Sequence, residues 1–278
     1  MLADISDLLR CPQCDPLAEA RLELAGRALR CPVGHTFDVA RQGYVNLLSR
    51  ATPPHADTAA MVTARERFLG SGAYEPLRRA LACRVEDAAT LLEAGAGTGY
   101  YLAGCLEADG SSEARRGLAL DISPAAARRA ARAHPRIGAV VADTWAGLPV
   151  RSGVVDLLLT VFAPRNPIEF ARVLAPGGRV LVAVPLPEHL AELRDRLGLL
   201  DIEPDKEDRL LAGFAGLLQT ADRCDVRFPL TLTTGAVTDL VGMGPNAFHA
   251  DSAAHAEEYA PAAIAVQVAV RIHEFVRG

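Results

Sequence analysis

Four residues near the start of the chain form a metal-ligand pattern: Cys11 and Cys14 as C-x2-C, sixteen intervening residues, then Cys31 and His35 as C-x3-H. Three thiolates and one imidazole are the ligand set of a closed tetrahedral zinc site. Both pairs sit in turn-forming sequence, Cys11-Pro12-Gln13-Cys14 and Cys31-Pro32-Val33-Gly34-His35. A disulfide or a chance pairing leaves His35 unexplained, and disulfides are rare in the cytosol. With no open position the metal is expected to be structural or to serve docking. The other cysteines, Cys83, Cys105 and Cys224, are far apart in sequence and read as buried free thiols.

A second group could hold a nucleoside. Glu93-Ala94-Gly95-Ala96-Gly97-Thr98-Gly99-Tyr100 follows an apolar run, and Gly95, Gly97 and Gly99 let the backbone turn sharply beside a ligand at a helix start. Asp121-Ile122 follows the next apolar run, 22 positions beyond Gly99, where a carboxylate can accept from both ribose hydroxyls. Asp143-Thr144 follows the third and is placed to meet an adenine edge. Taken singly, Asp121 and Asp143 are ordinary helix caps or turn formers; taken in order, they read as cofactor contacts.

The elements that must position these residues alternate. Runs 90–94, 117–120, 137–141, 154–160 and 179–184 read as strands with helical patterns between them, which implies a mostly parallel sheet wrapped by helices. The turn Ala175-Pro176-Gly177-Gly178 precedes the fifth strand. Glycine loop, ribose acid, adenine acid and Pro-Gly-Gly turn together resemble a class I methyltransferase rather than a nicotinamide-binding domain. The expected fold is therefore α/β and Rossmann-like, a mostly parallel seven-stranded sheet, with S-adenosylmethionine as cofactor. The two cysteine turns resemble the knuckles of a zinc ribbon, with strands at 20–24 and 27–30 and one structural zinc ion. A helix is expected over 59–69, added helices near 209–214 and 237–241, and a closing strand over 261–275. The division is 1–40 ribbon, 41–85 linker and helical lid, 86–278 methyltransferase domain.

Composition limits the reading. The 278 residues are half hydrophobic with 23% charged, the profile of a folded globular chain. No apolar run is long enough to cross a bilayer and no leader pattern opens the chain, so a cytoplasmic location without membrane contact is expected. A net charge of −5 argues against binding nucleic acid over the whole surface. Residues 1–84, however, carry 11 arginines against 9 acids, and 85–278 carry 18 basic against 25 acidic groups. An RNA-facing surface belongs to the N-terminal part, with Arg41, Arg50, Arg65 and Arg67 as candidate phosphate contacts. Lys206 is the sole lysine.

Cys31 to Asp38 leads into Arg41-Gln42-Gly43-Tyr44-Val45-Asn46-Leu47-Leu48, then Asp57-Thr58-Ala59-Ala60-Met61, Ala64-Arg65-Glu66-Arg67-Phe68-Leu69 and Gly72-Ala73-Tyr74-Glu75-Pro76-Leu77. This succession resembles the bacterial 23S ribosomal RNA guanine-N1 methyltransferases of the RlmA type, a family that includes macrolide-resistance enzymes. Later matches are Phe162-Ala163-Pro164, Pro187-Glu188-His189-Leu190 and Met243-Gly244-Pro245-Asn246-Ala247. The resemblance implies methyl transfer to a guanine of 23S rRNA, with cofactor contacts at Tyr74, Gly99, Tyr100 and His189. Glu93 and Ala96 stand where Asp and Cys are common in relatives. It also raises tylosin-type resistance as an expectation.

Guanine N1 carries a proton that some group must accept. Asp57, on the lid segment, is the candidate; a solvated loop aspartate is the plainer reading of it. The guanine must be unstacked, which is easiest in a hairpin loop. A homodimer would present two ribbons to one hairpin. Two other readings stand beside this one: a small-molecule methyltransferase acting on a natural product, and a non-catalytic zinc-ribbon module binding RNA.

Overall fold

The computed structural model describes residues 2–108, 115–203, 205–244, 247 and 263–278. The N-terminal part forms a three-stranded antiparallel sheet of β1 (Glu23–Ala25), β2 (Ala28–Arg30) and β3 (Thr36–Asp38). Its first strand lies later than the 20–24 expected, because Arg21 bridges Arg10 and Leu22 donates to the Leu9 carbonyl instead. The third strand was not anticipated; it follows directly on His35.

The main sheet contains β4 (Tyr44–Asn46), β5 (Thr90–Ala94), β6 (Arg116–Asp121), β7 (Ile137–Val141), β8 (Val155–Val161), β9 (Leu174–Pro185), β10 (Gln219–Thr233) and β11 (Ala263–Val276). Their spatial order is β10-β11-β9-β8-β5-β6-β7-β4. The sheet thus has eight strands rather than seven. The extra strand is β4, from the segment read as linker, pairing parallel with β7 from Tyr44↔Ala139 to Asn46↔Val141. β4 is short and only Val45 of its three residues is buried, so its alternation is too brief to be seen in sequence. The parallel strands are apolar nearly throughout, as expected of strands covered on both faces. The closing strand matches expectation where described; 261 and 262 lie outside the described residues.

Helices α1 (Leu2–Ile5), α2 (Ala59–Gly70), α3 (Glu75–Ala82), α4 (Tyr100–Glu107), α5 (Pro124–Ala133), α6 (Pro167–Val173), α7 (Ala191–Leu197), α8 (Lys206–Phe214) and α9 (Thr234–Gly242) cover the two faces. Start signals explain several of them: Thr58, Ser123, Asn166 and Thr233 each accept an amide of the first turn, and α5 and α6 begin with proline. One apolar layer packs Leu77, Leu81, Leu102, Leu193, Val237 and Val241 on the sheet. The other unites Phe170, Phe214 and Phe275 with Cys11, Leu22, Leu29 and Phe37, so the small N-terminal sheet shares the core of the large one. The Phe214 and Phe275 rings stack at 4.3 Å, a contact worth about 1 kcal/mol beyond burial.

The N-terminal segment is joined to the sheet by backbone as well as by packing. Arg10 N donates to Pro149 O (3.0 Å), Arg151 N donates to Leu8 O (2.8 Å), and Leu9 bridges Val150. One side of this junction, Pro149–Arg151, belongs to the connection from β7 to β8. Beneath it, a Cβ on Gly138 would stand 2.2 Å from Ile5 Cγ1, so α1 seats on bare backbone. Gly138→Ala is therefore expected to destabilise the protein by about 1–3 kcal/mol, read from urea midpoints. An unchanged midpoint would show that Ile5 does not occupy this seat.

Candidate active site and metal centre

The four ligand atoms of Cys11, Cys14, Cys31 and His35 lie within 4.8 Å of one another. His35 Nδ1 is 3.4 Å from the Cys11 and Cys14 sulfurs and 3.5 Å from that of Cys31, and the Cys14 and Cys31 sulfurs are 3.7 Å apart. A tetrahedral zinc with bonds of about 2.3 Å to sulfur and 2.0 Å to nitrogen needs separations of about 3.5 Å for sulfur to nitrogen and 3.8 Å for sulfur to sulfur. The donor set and its spacing fit that ion. Burial opposes ionisation of Cys31, yet backbone amides of His35 and Val33 aimed at its sulfur bring the thiol down to about 6. Of the remaining cysteines, Cys105 is buried and Cys224 half-buried, but Cys83 is exposed, contrary to expectation, because it caps the solvent end of α3.

The chain runs outward from β5 through β6 to β7 and then returns to β8 on the other side, which opens a crevice at the strand ends. A cavity of about 490 Å³ lies there, lined among others by Asp57, Tyr74, Glu93, Gly95, Gly97, Tyr100, Asp121, Ile122, Asp143, Thr144 and His189. Eleven of the twelve candidates named from sequence thus meet in one space. Gly99 is the exception. It has φ +77° at the start of α4, and a Cβ there would meet Ala130 at 3.1 Å, so it permits close packing on α5.

Two carboxyls, the buried Glu93 and the half-buried Asp121, shape the glycine turn. Asp121 Oδ2 accepts from Gly97 N (2.7 Å) and Oδ1 from Ser123 N (2.8 Å). Glu93 Oε2 accepts from Leu102 N (3.1 Å), capping the first turn of α4 where Gly99 has no side chain to do so. Burial pushes the Glu93 carboxyl up to about 8, with the Asp121 charge adding to it, so Glu93 is largely protonated at neutral pH. Gly95 must be bare, since a Cβ would stand 2.4 Å from that of Ala163 in the facing loop after β8.

The opposite wall is aromatic. Tyr74 is buried with Phe68, Phe162, His189 and Phe228 edge-on around it, at centroid distances of 5.2–6.4 Å. Ala269 N donates to His189 Nδ1 (3.2 Å), so the neutral ring carries its proton on Nε2, 3.3 Å from the Tyr74 hydroxyl. That hydroxyl accepts from the ring and keeps its own proton for another partner. Burial first, then Arg194, lowers His189 to about 4. Phe162 is 44% exposed and sits at φ +53°, a strained conformation for a non-glycine residue and one that turns its ring to the cavity.

Asp57 reaches the cavity from the segment before α2. Its carboxylate pairs with Arg65, whose other terminal nitrogen donates to Met243 O (2.6 Å), while Ser123 Oγ donates to Asp57 O (2.6 Å). Arg65 is thus occupied, and Arg67 pairs with Asp239 on α9, so neither is the free phosphate contact expected; both fasten α2 to α9. Sequence reasoning missed Arg65, Trp145, Arg194 and Leu240 as cavity residues. Trp145 could have been found from its place beside Asp143-Thr144. Leu240 and Arg194 reach the cavity only through tertiary packing. Pro245 and Asn246 lie outside the described residues.

A family model for the zinc ribbon at the N-terminus of RlmA matches residues 9–50. The 23S rRNA (guanine(748)-N(1))-methyltransferase of Streptomyces fradiae is 47% identical over 257 residues, covering 90% of this chain and 89% of that protein. A Micromonospora griseorubida protein named for 23S rRNA guanine-N1 methylation is 47% identical over 272 residues, covering 91% of each. Among solved structures, a chain from the Haloferax volcanii complex of the Trm112 methyltransferase activator aligns with TM-score 0.53 at 20% identity, over 80% of this chain and 98% of that one. The [4+2]-cyclase SpnF aligns with TM-score 0.54 at 17% identity, over 79% and 93%. These two show the fold alone.

The His189 environment has a consequence for stability. An unfolded histidine titrates near 6.5 and His189 near 4, so between these values the native state holds fewer protons than the unfolded chain. Its contribution is fully present above about pH 6.5 and is lost as pH falls toward 4, on the order of 3 kcal/mol. His189→Gln is expected to flatten that part of the stability profile in urea unfolding from pH 4 to 7.5. Equal slopes in both proteins would contradict the buried neutral ring.

Proposed function

The chain belongs to the family of 23S rRNA (guanine-N1)-methyltransferases, and from that footing we propose that it transfers the methyl group of S-adenosylmethionine to N1 of a guanine in a 23S rRNA hairpin loop. The observation that carries the reading is the convergence of the glycine turn, Asp121 and Asp143 with the Tyr74–His189 wall in one cavity at the reversal point of the sheet. Ribosomal RNA as substrate supports a cytoplasmic location as part of this reading; no helix among the described residues is long and apolar enough to cross a membrane. We divide the chain into a zinc ribbon (1–40), a connecting lid (41–85) and a catalytic domain (86–278). A homodimer presenting two ribbons to one hairpin, and tylosin-type resistance, are parts of the same proposal.

When bound, S-adenosylmethionine supplies an electrophilic methyl group on a sulfonium. The protein's task is alignment. Asp121 would accept from the ribose hydroxyls, Asp143, Thr144 and Ile122 would flank the adenine, and Gly95 and Gly97 would let backbone approach the amino-acid end, with Tyr100 and Tyr74 closing around it. The three ribbon cysteines and His35 would hold zinc, which fixes the ribbon's shape.

The N1 proton needs an acceptor with a free lone pair. Glu93 is buried and largely protonated, Asp121 is committed to the Gly97 and Ser123 amides and to the cofactor ribose, Asp143 to the Trp145 amide and the adenine, and the lone pair of His189 is taken by Ala269 N–H. Asp57 remains at the acceptor side, with Arg65 holding Oδ2 and leaving Oδ1 for N1. The Phe162 ring offers an apolar face to the extruded base.

Incubating the protein with radiolabelled S-adenosylmethionine and unmodified 23S rRNA is expected to yield 1-methylguanosine on nucleoside analysis. Label on small metabolites but not RNA would favour a small-molecule substrate, and no transfer at all would leave a binding module. Asp57→Asn is expected to lower kcat by about 10²–10⁴ with little change in affinity for S-adenosylhomocysteine. A variant with full kcat would remove Asp57 from the proton path. Cys14→Ser is expected to abolish stoichiometric zinc by elemental analysis; retained zinc would refute the four-ligand site.

A further inference from the structure

Most cations in this acidic chain are either paired or fully in solvent. Among the described residues, Arg165 and Lys206 are the partly buried ones whose side chains make no hydrogen bond or ion pair with protein groups. Of the neighbouring acids, Glu203 and Asp205 pair with Arg209, Glu207 with Arg271 and Asp201 with Arg194, while Asp208 is exposed. Burial lowers both cations below their usual range, and each feels a like charge, Arg165 from Arg209 and Lys206 from Arg165. The elements that carry them pack on each other, since a Cβ on Gly213 of α8 would stand 3.3 Å from Pro167 Cγ at the start of α6, and both side chains are half-buried. Unpaired positive charges brought near each other there cost free energy unless an anion comes between them.

Their position says which anion. Arg165 follows Pro164, the end of the loop that carries Phe162, and Lys206 opens α8 just after Ile202; Pro164 and Ile202 both line the cavity, whereas Arg165 and Lys206 do not. An anion held between them would therefore lie at the rim of the cavity rather than within it. Asn166 links this loop to the other wall, donating from Nδ2 to Thr144 O (3.0 Å) and capping α6, which fixes the backbone next to Arg165.

We propose that Arg165 and Lys206 together bind a backbone phosphate of the RNA strand whose base enters the cavity. This rests on the RNA-methyltransferase reading and adds to it the contact that positions the nucleotide. The chain's sole lysine and the loop after β8 thus supply, beside the reaction site, a contact that Arg65 and Arg67 cannot make because they are paired.

The test is affinity of the full chain for an unmodified 23S rRNA hairpin at several salt concentrations, with methyl transfer measured on the same RNA. Arg165→Gln, Lys206→Gln, the double variant and Lys206→Arg are compared. The double variant is expected to raise Kd and KM about tenfold and to make the slope of log Kd against log salt shallower by about 0.7 per cation removed. Affinity for S-adenosylhomocysteine should stay within about twofold, and Lys206→Arg should restore RNA binding, because only charge is required. Should the double variant not fold, the two single variants carry the same comparison. Unchanged RNA affinity and salt slope with a wild type that methylates RNA would overturn this inference alone, as would Lys206→Arg binding no better than Lys206→Gln. A wild type that neither binds nor methylates RNA would overturn the functional reading with it.

Discussion

The glycine turn after β5 keeps its shape because two carboxyl groups withdrawn from water, the buried Glu93 and the half-buried Asp121, hold its backbone and that of the helix it opens. Burying a carboxylate without compensation costs several kcal/mol, and the two groups meet that cost differently. Glu93 keeps its proton and caps α4. Asp121 accepts two amide hydrogens, at Gly97 and Ser123, each a charge-assisted bond worth about 1.5–3 kcal/mol. Since both cannot ionise cheaply side by side, a neutral Glu93 leaves Asp121 as the charged partner facing the cavity. The turn, the first turn of α4 and the cavity-facing acid form one hydrogen-bonded unit.

A second chain of contacts ties the metal centre to the same cavity. The ribbon's Leu9 and Arg10 pair with Pro149 and Val150, and Arg10 Nε also donates to Leu148 O (3.3 Å). That strand of backbone is continuous with Asp143–Trp145 at the cavity wall. On its far side β4 joins the ribbon to β7, which ends just before Asp143. The ribbon is thus built into the edge that carries Asp143 and Thr144, rather than tethered as a separate arm. The segment before α2 is fixed in a similar way: Arg65 spans from Asp57 to Met243 and so ties that segment to the end of α9.

How much of this the sequence carried depended on how local each feature is. The metal ligands were legible because C-x2-C and C-x3-H turns place them without help from the rest of the chain. Glycine loop, Asp121 and Asp143 were legible because each sits at the end of a strand whose apolar run is plain. β4 was not, since three residues with one buried side chain make no pattern, and its partner β7 is more than ninety residues away. β10 was missed for a related reason: it lies at the sheet edge, pairs only with β11, and its mixed residues leave most side chains exposed or half-buried. Arg65 and Arg67 looked like free cations because their partners, Asp57 and Asp239, meet them only through tertiary contact in which α2 packs on α9. Gly99 read as a ligand contact, but the demand for a bare backbone comes from Ala130.

The account stands or falls on Asp121 as the charged group at a nucleoside site. Isothermal titration of S-adenosylhomocysteine tests this directly, using the wild type and Asp121→Ala with zinc content checked in each. The account predicts one site per chain in the wild type and an affinity at least about tenfold weaker in the variant, with zinc unchanged. Equal affinity in both proteins, or no binding to the wild type, would contradict it.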